Sequence, residues 1–269
     1  MIAPRKPGNE PFRLAALHAL PLLDTVAEPD FDAIVQLGRT LFNVPTCLVT
    51  MVDADRQWFK ARSGLDATET PRSVSFCGHA ILQEDVFVIL DASQDERFHD
   101  NPLVTGAPYI RFYAGAPIML PSGYTIGTVC ILDPQPRSNF DDGERTRLAQ
   151  LARLALTAIT VRALRQDLDI SRGLADRFES AMHAVPGPLA LLDERGALVY
   201  FNDAFTALCP TWPDKGTELT AALGLAADAW SAEAMRASGR QEMALQIGDT
   251  SLAIYKDGGG FIVAPPALP

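Results

Sequence analysis

Cys77 and His79, separated by one glycine, are the residues whose types and spacing best suit chemistry. A neighbouring imidazolium lowers the pKa of a thiol, so the pair could act in redox sensing or as a catalytic nucleophile. In the alternative, Cys77 lies in the core and His79 forms a hydrogen bond to a loop backbone, and we favour this structural role. Two residues apart, the pair supplies at most half a metal site, so no metal centre is predicted.

Cys47 and Cys130 lie in apolar runs that predict strands, and they could approach one another or Cys77 across a sheet. With Cys209, the four cysteines are widely scattered along the chain. Such scatter is typical of reduced, buried thiols rather than of a disulfide framework. We therefore expect free cysteines in the folded protein.

Arg111 opens a strand of apolar and aromatic residues that also contains Tyr113. A guanidinium in this position could bind a carboxylate or a phosphate through two parallel hydrogen bonds. The alternative, which we favour, is an ion pair with Asp91 or Asp95 that fixes a loop. Trp58 and Phe59 lie on alternate faces of another predicted strand, so at most one of them lines a cavity, and core packing is the expected role of either.

The composition predicts an ordinary water-soluble protein of two domains. The 269 residues include 23 Lys and Arg against 33 Asp and Glu, a formal charge of -10. This charge disfavours nucleic acids and anionic membranes as partners. No stretch approaches the ~18 apolar residues of a membrane span, and no secretion signal opens the chain, so we expect a cytoplasmic location.

Two helices, a short third helix and five strands are predicted before residue 140, which indicates an α+β domain with an antiparallel sheet. One helix begins at Pro11, the next begins after Glu28-Pro29 and ends at Asn43, and Ser75 is expected to cap a short third helix. The predicted strands are Thr46 to Val52, Arg56 to Arg62, Val86 to Leu90, Ile110 to Leu120 and Tyr124 to Leu132.

A long helix over residues 141–182 carries apolar residues at spacings of three and four, the seam of a coiled coil. We expect this seam to pair with a second copy in a parallel homodimer. Alternatively the helix packs against its own domains, since Thr157 and Ser171 interrupt the seam and Gly173 weakens the helix. The predicted interface residues are Leu154, Val161, Leu164, Leu168, Ala175 and Phe178.

A second, smaller domain is predicted after the Pro- and Gly-rich segment that starts at Val185, giving the division 1–140, 141–182 and 183–269. It opens with two short strands joined by a turn, followed by a helix capped by Asn202. A helix over 226–237 and three final strands complete it, and the Pro-rich end from Ala264 resembles a linker.

Seven motifs occur in order along the first part of the chain. They are Phe31-Asp32, Val52 to Lys60, Glu69 to Arg72, Ser75 to Ala80, Arg97 to Pro102, Arg111 to Pro117 and Gly127 to Asp133. Together they resemble a widespread subgroup of bacterial GAF sensor domains over residues of about 10–165. The resemblance implies a ligand cavity between the sheet and the short helix. Its expected lining residues are Cys77, His79, Arg111, Tyr113, Trp58 and Cys130.

Two other GAF chemistries are weaker matches. Phytochrome-like GAF domains attach a bilin through a Cys-His pair, but here a glycine intervenes between Cys77 and His79. GAF enzymes that reduce free methionine sulfoxide use cysteines around the pocket, and the cysteine spacing of this chain does not match theirs well. No cofactor is predicted, and a thiol oxidoreductase is retained as an alternative.

The segment from Leu189 to Leu208 resembles the opening of PAS domains. The combination implies a sensory and dimerisation region that carries no enzyme activity of its own and acts on an output domain or a downstream signalling protein. We expect a sensor histidine kinase, with a diguanylate cyclase or a stand-alone partner-binding regulator as alternatives.

Overall fold

The computed structural model describes residues 1–226 and 228–266. The chain divides into two compact units, Met1–Asp167 and Leu168–Pro269. Among the described residues, no helix combines the length and apolar character that crossing a membrane requires.

The first unit contains a six-stranded antiparallel sheet in the order β3-β2-β1-β6-β5-β4. Its strands are β1 Thr46–Val52, β2 Arg56–Ser63, β3 Glu69–Pro71, β4 Phe87–Ile89, β5 Phe112–Met119 and β6 Thr125–Asp133. Its helices are α1 Glu10–His18, α2 Pro29–Phe42, α3 Phe76–Ala80, α4 Pro102–Thr105 and the first part of α5 Asp142–Ala184, with a 3-10 turn at Arg72–Val74.

Strand β1 lies in the middle of this sheet, and all seven of its residues are buried. Both faces of the sheet are therefore covered. Val49 and Met51 face one apolar cluster, which also takes residues from α1, α2 and α5, whereas Leu48 and Val52 face a second cluster with α3. This alternation follows from the period of two in a strand, and it determines which side chains reach which layer.

Helix α2 shows why the sequence predicted these elements well. Proline is tolerated in the first turn, and the buried residues of the helix include Phe31, Ile34 and Val35, which fall on one face. Asn43 ends the helix in the left-handed conformation. The short elements β3 and α4 were not predicted, because three or four residues show no periodicity.

Helix α5 is 43 residues long and begins at Asp142, within one residue of the prediction. In the first unit its apolar face enters the core through Leu148, Leu151, Ala155 and Ile159. Leu154, on another face, is 50% exposed. The first part of α5 is thus fixed to the sheet while its predicted seam points away from that core.

The second unit has a five-stranded antiparallel sheet in the order β8-β7-β11-β10-β9. Its strands are β7 Ala190–Leu192, β8 Leu198–Phe201, β9 Glu242–Ile247, β10 Thr250–Asp257 and β11 Gly260–Ala264, and its short helices are α6 Asp203–Thr206, α7 Leu219–Ala222 and α8 Ala232–Ser238. The helix expected over 226–237 corresponds to α8. Residue 227 and the last three residues of the expected linker, 267–269, lie outside the described residues.

The α+β class with antiparallel sheets and a long helix is confirmed. The predicted strand, turn and strand at the start of the second unit are present, and Asn202 caps α6 by accepting a hydrogen bond from the Phe205 amide. The PAS-like identity of this unit remains a prediction.

Candidate functional site

A cavity of about 130 Å³ lies beside the sheet of the first unit, on the α3 side. Its walls are mostly apolar and include Phe59, Phe76 and Ile110. Three further lining residues, Cys77, Tyr113 and Cys130, carry groups that can donate or accept protons. These three were predicted pocket residues, and the structure brings them together.

Helix α3 places Cys77 over the sheet, and its N-terminus is held by side chains. Ser75 Oγ accepts a hydrogen bond from the Gly78 amide at 2.9 Å and donates one to Gln57 Oε1 on β2. Asn101 Nδ2 donates to the Val74 carbonyl at 3.0 Å. The predicted cap therefore sets the position of the Cys77 thiol above β6.

Cys77 and Cys130 lie with their Sγ atoms 3.7 Å apart. The Tyr113 hydroxyl donates to Cys77 Sγ at 3.4 Å. Beneath them, the Thr50 and Thr128 hydroxyls are hydrogen-bonded at 2.9 Å, and both threonines are fully buried. Two thiols and three hydroxyl groups thus form one buried polar cluster inside the apolar layer, and we call it the thiol cluster.

Burial by itself acts to raise the pKa of both thiols in the thiol cluster. At Cys77, hydrogen bonds from Cys130 and from the three hydroxyl groups outweigh burial and lower the pKa. At Cys130, the contact with Cys77 adds to burial, and the pKa is well above its usual range. The first proton lost from the pair therefore leaves Cys77, and the resulting thiolate is a stronger nucleophile than the protonated Cys130 thiol.

His79 does not pair with Cys77. Its Nε2 donates to the Ile2 carbonyl at 3.0 Å, and its ring meets Phe98 edge-on with the centroids 4.9 Å apart. Burial, with a smaller contribution from Arg97, lowers the pKa of His79 and favours the neutral ring. The hydrogen bond of His79 to a loop backbone agrees with the structural alternative for this residue, whereas Cys77 belongs to the thiol cluster.

Trp58 lies on the opposite face of the sheet from the cavity. It pairs with Met51 on β1, and both belong to the cluster under α1, α2 and α5. Phe59, which pairs with Thr50, faces α3 and lines the cavity instead. Sequence alternation indicated that only one of these two aromatic residues could do so, and the sheet decided which one.

Arg111 binds neither Asp91 nor Asp95, so the predicted ion pair is wrong. Its guanidinium donates to the Val104 and Ile110 carbonyls at 2.9 and 3.1 Å. The two aspartates already have local partners two residues away, a serine for Asp91 and Arg97 for Asp95. Arg111 therefore fixes the loop before β5 through backbone carbonyls.

Thr50 and Thr128 belong to the thiol cluster, although neither was predicted to lie at the site. Each lies in the interior of a mostly apolar central strand, and they face each other across β1 and β6. A buried threonine needs a hydrogen-bond partner, so two such residues in apolar strands were the available signal. Within the described part of the chain, no group of three or more His, Cys, Asp or Glu side chains forms a metal site.

Comparison with a family model identifies the class of most of this first unit. Residues 28–159 match the family described as GAF domain, and this part of the chain is a GAF domain. Cyclic di-GMP phosphodiesterase PA2567 of Pseudomonas aeruginosa is 39% identical over 178 residues, which is 66% of this chain. The chain spans 30% of that relative's length.

Solved structures with similar folds are much more distant in sequence. The GAF domain of a phosphoenolpyruvate-protein phosphotransferase from Acinetobacter is 20% identical, with a TM-score of 0.43 over 57% of this chain and 94% of that one. A free methionine-R-sulfoxide reductase from Neisseria meningitidis is 17% identical, with a TM-score of 0.42 over 58% of this chain and 88% of that one.

Proposed function

We propose that this chain is the sensory region of a cyclic di-GMP phosphodiesterase, in which the GAF domain receives a signal and helix α5 relays it. The observation that carries the proposal is the 39% identity to the Pseudomonas phosphodiesterase over 178 residues. That stretch is longer than the GAF match at 28–159, so the similarity includes residues outside the GAF domain. This relative favours a phosphodiesterase output over the histidine kinase or diguanylate cyclase expected from sequence.

The packing of α5 supports its role as the relay. Its first part is anchored in the GAF core, and Arg162 adds an ion pair to Glu28 at 2.8 Å. Within the second unit, Met182 near the end of α5 is buried and Phe178 meets the Tyr200 ring edge-on. A continuous helix whose two ends belong to different cores is suited to transmitting a rotation or a translation.

The exposed seam of α5 supports a parallel homodimer. Leu164 and Leu168 are 62% and 49% exposed, and Phe178 is 43% exposed. Apolar side chains at coiled-coil spacing gain stability when they pack into a second helix. We propose that two copies pair along this seam and that the GAF signal changes the register or rotation of the pair.

The size of the GAF cavity limits which molecules can bind in it. Its volume of about 130 Å³ is below the roughly 300–1,000 Å³ of common small-molecule sites. A nucleotide or tetrapyrrole would require α3 to move away from the sheet. We therefore infer that the GAF domain responds to a small molecule or to contact with another protein.

We also propose that the second unit is a PAS-like relay domain. Its opening, a strand, a turn, a second strand and a capped helix, supports this proposal.

A chimera tests the function. The segment of the Pseudomonas phosphodiesterase that matches this chain is replaced by this chain, and hydrolysis of cyclic di-GMP is measured. Insertion of seven residues after Ile170 preserves the coiled-coil seam, whereas two inserted residues rotate the following helix by about 200°. We expect the seven-residue insertion to keep the hydrolysis rate and the two-residue insertion to change it several-fold. Equal rates for both insertions would contradict the relay.

A further inference from the structure

We propose that Cys77 and Cys130 form a reversible disulfide in the GAF cavity, which makes the thiol cluster a site of redox modification. This inference does not depend on the proposed phosphodiesterase output. It rests on the distance between the two sulfur atoms, on the hydroxyl groups around them and on the cavity that reaches both.

The two sulfur atoms need only a small movement to bond. They lie 3.7 Å apart, and a disulfide bond is about 2.05 Å long, so an approach of about 1.6 Å is required. Helix α3 has five residues, and it carries Cys77 on a segment joined to the sheet by side-chain contacts rather than by strand pairing. A shift of this short helix toward β6 closes the gap.

The other two cysteines are placed elsewhere. Cys47 faces the α2 side of the sheet, where a Cβ atom added at Gly38 would lie 2.6 Å from its Sγ. Burial raises the pKa of Cys47 to about 12, which leaves it a thiol. Cys209 belongs to the second unit, where its Sγ contacts the Phe205 carbonyl at 3.6 Å. Their positions predict a selective reaction between Cys77 and Cys130.

The surrounding hydroxyl groups suit the first chemical step. The Tyr113 hydroxyl donates to Cys77 Sγ, and the buried Thr50 and Thr128 hydroxyls lie beneath the same thiol. Donors directed at a sulfur atom stabilise the thiolate, the form that attacks an oxidant. Cys130 remains protonated and is available as the second thiol.

The oxidant is a hydroperoxide, and hydrogen peroxide is the smallest example. The Cys77 thiolate attacks one peroxide oxygen, the O–O bond breaks, and the leaving hydroxide takes up the proton that Cys77 released on ionising, which forms water. Cys130 then attacks the Cys77 sulfenic acid, an S–S bond forms, and a second water leaves. Two thiols lose two electrons and the peroxide gains them. A molecule with two heavy atoms fits the cavity of about 130 Å³ that borders both sulfurs.

Peptide mapping of the intact chain tests the proposal. The protein is treated with hydrogen peroxide, denatured, alkylated and cleaved with trypsin. Each cysteine falls in its own tryptic peptide, and those with Cys77 and Cys130 cover residues 73–97 and 112–137. We expect these two peptides to appear crosslinked, lighter by two hydrogen atoms than their sum, and to separate on reduction with dithiothreitol.

Variants provide the matched controls. Cys47→Ser and Cys209→Ser should leave the crosslink unchanged, whereas Cys77→Ser and Cys130→Ser should abolish it. Circular dichroism checks that each variant is folded. If a variant is unfolded, the peptide map of the wild-type protein remains the test. Four free thiols after treatment, a crosslink to another cysteine, or a crosslink between two chains would overturn the proposal.

Discussion

Glu10 is a buried carboxylate in the GAF unit that is paired with buried cationic side chains. It is 7% exposed and lies between two buried arginines. Arg13 donates to it through Nε and Nη2 at 2.7 and 2.9 Å, and Arg72 Nη1 also donates to it. Arg72 bonds to the Asp53 carbonyl at 2.8 Å as well, so the carboxylate joins α1 to the loop after β1.

Replacement of this carboxylate gives the first prediction. Burial opposes ionisation, but hydrogen bonds from Arg13 and Arg72 prevail and lower the pKa of Glu10 from 4.5 to about 2. Because the folded pKa lies below the unfolded value, about 3 kcal/mol of stability is present above pH 4.5 and is lost as the pH falls toward 2. Glu10→Gln should cost about 3–5 kcal/mol at neutral pH, because it leaves two buried cations without a counter-ion.

Urea unfolding at neutral pH and at about pH 3 measures both effects. Between neutral pH and about pH 3, the free energy of unfolding of Glu10→Gln should fall by less than that of the wild type. Glu96→Gln, at an exposed position, is the control and should change the free energy of unfolding by less than about 0.5 kcal/mol. A stability loss no larger at Glu10 than at Glu96 would refute the assigned role.

At the scale of elements, Asn202 joins the end of α5 to the sheet of the second unit. Its Nδ2 lies within hydrogen-bond distance of three carbonyls, the shortest being Gly187 at 2.8 Å, with Val185 and Met182 at 3.2 and 3.3 Å. Its Oδ1 accepts from the Leu189 and Phe205 amides. One buried side chain thereby fixes a helix end, a strand start and a helix cap.

Asn202→Ala should destabilise the second unit by about 2–4 kcal/mol, since it removes a cap and leaves buried carbonyls unpaired. Ser231→Ala removes a single exposed cap bond to the Ala234 amide and should cost only about 1 kcal/mol. Chemical denaturation compares the two variants, and hydrogen exchange of residues 182–189 reports the freed helix end. Equal losses in the free energy of unfolding for Asn202→Ala and Ser231→Ala would show that the contacts of Asn202 with the carbonyls contribute nothing to stability.

The seam of α5 permits a closely matched pair of substitutions. Leu164 lies on the seam and is 62% exposed, whereas Ile170 lies off it and is 63% exposed. Leu164→Glu should weaken dimerisation roughly a hundredfold, because two buried leucines are lost from each dimer. Ile170→Glu should leave dimerisation unchanged.

Light scattering across a concentration series measures the association of both variants and of the wild type. A monomeric wild-type chain at every concentration, or equal weakening by the two substitutions, would exclude the seam as the dimer interface.

At the scale of the whole molecule, each unit has its own core. The two apolar clusters of the GAF unit draw on residues between Leu17 and Ile159, and the cluster of the second unit begins at Ala190. A chain that ends after Asp167 should therefore fold by itself, with a cooperative melt within a few degrees of the GAF transition in the full chain. Thermal melts followed by circular dichroism test this, and an unfolded or aggregated fragment would contradict it.

The sequence by itself determined most elements of this protein. Strand β1 was predicted with its observed ends, and the start of α2, the Ser75 and Asn202 caps and the length of α5 also agreed. These features depend on neighbouring residues, since periodicity, proline, glycine and capping side chains act within a few positions. The GAF domain was recognised for the same reason, from short motifs in a fixed order.

Only the tertiary structure decided which distant residues meet. Cys77 and Cys130 are 53 positions apart, and their contact exists because α3 lies over β6. The sheet likewise placed Phe59 rather than Trp58 in the cavity, and loop packing directed Arg111 to carbonyls instead of carboxylates. Local sequence patterns specify which face of a strand is buried and which residue caps a helix. The order of strands and the packing of layers specify which distant side chains come into contact, and the thiol cluster depends on such contacts.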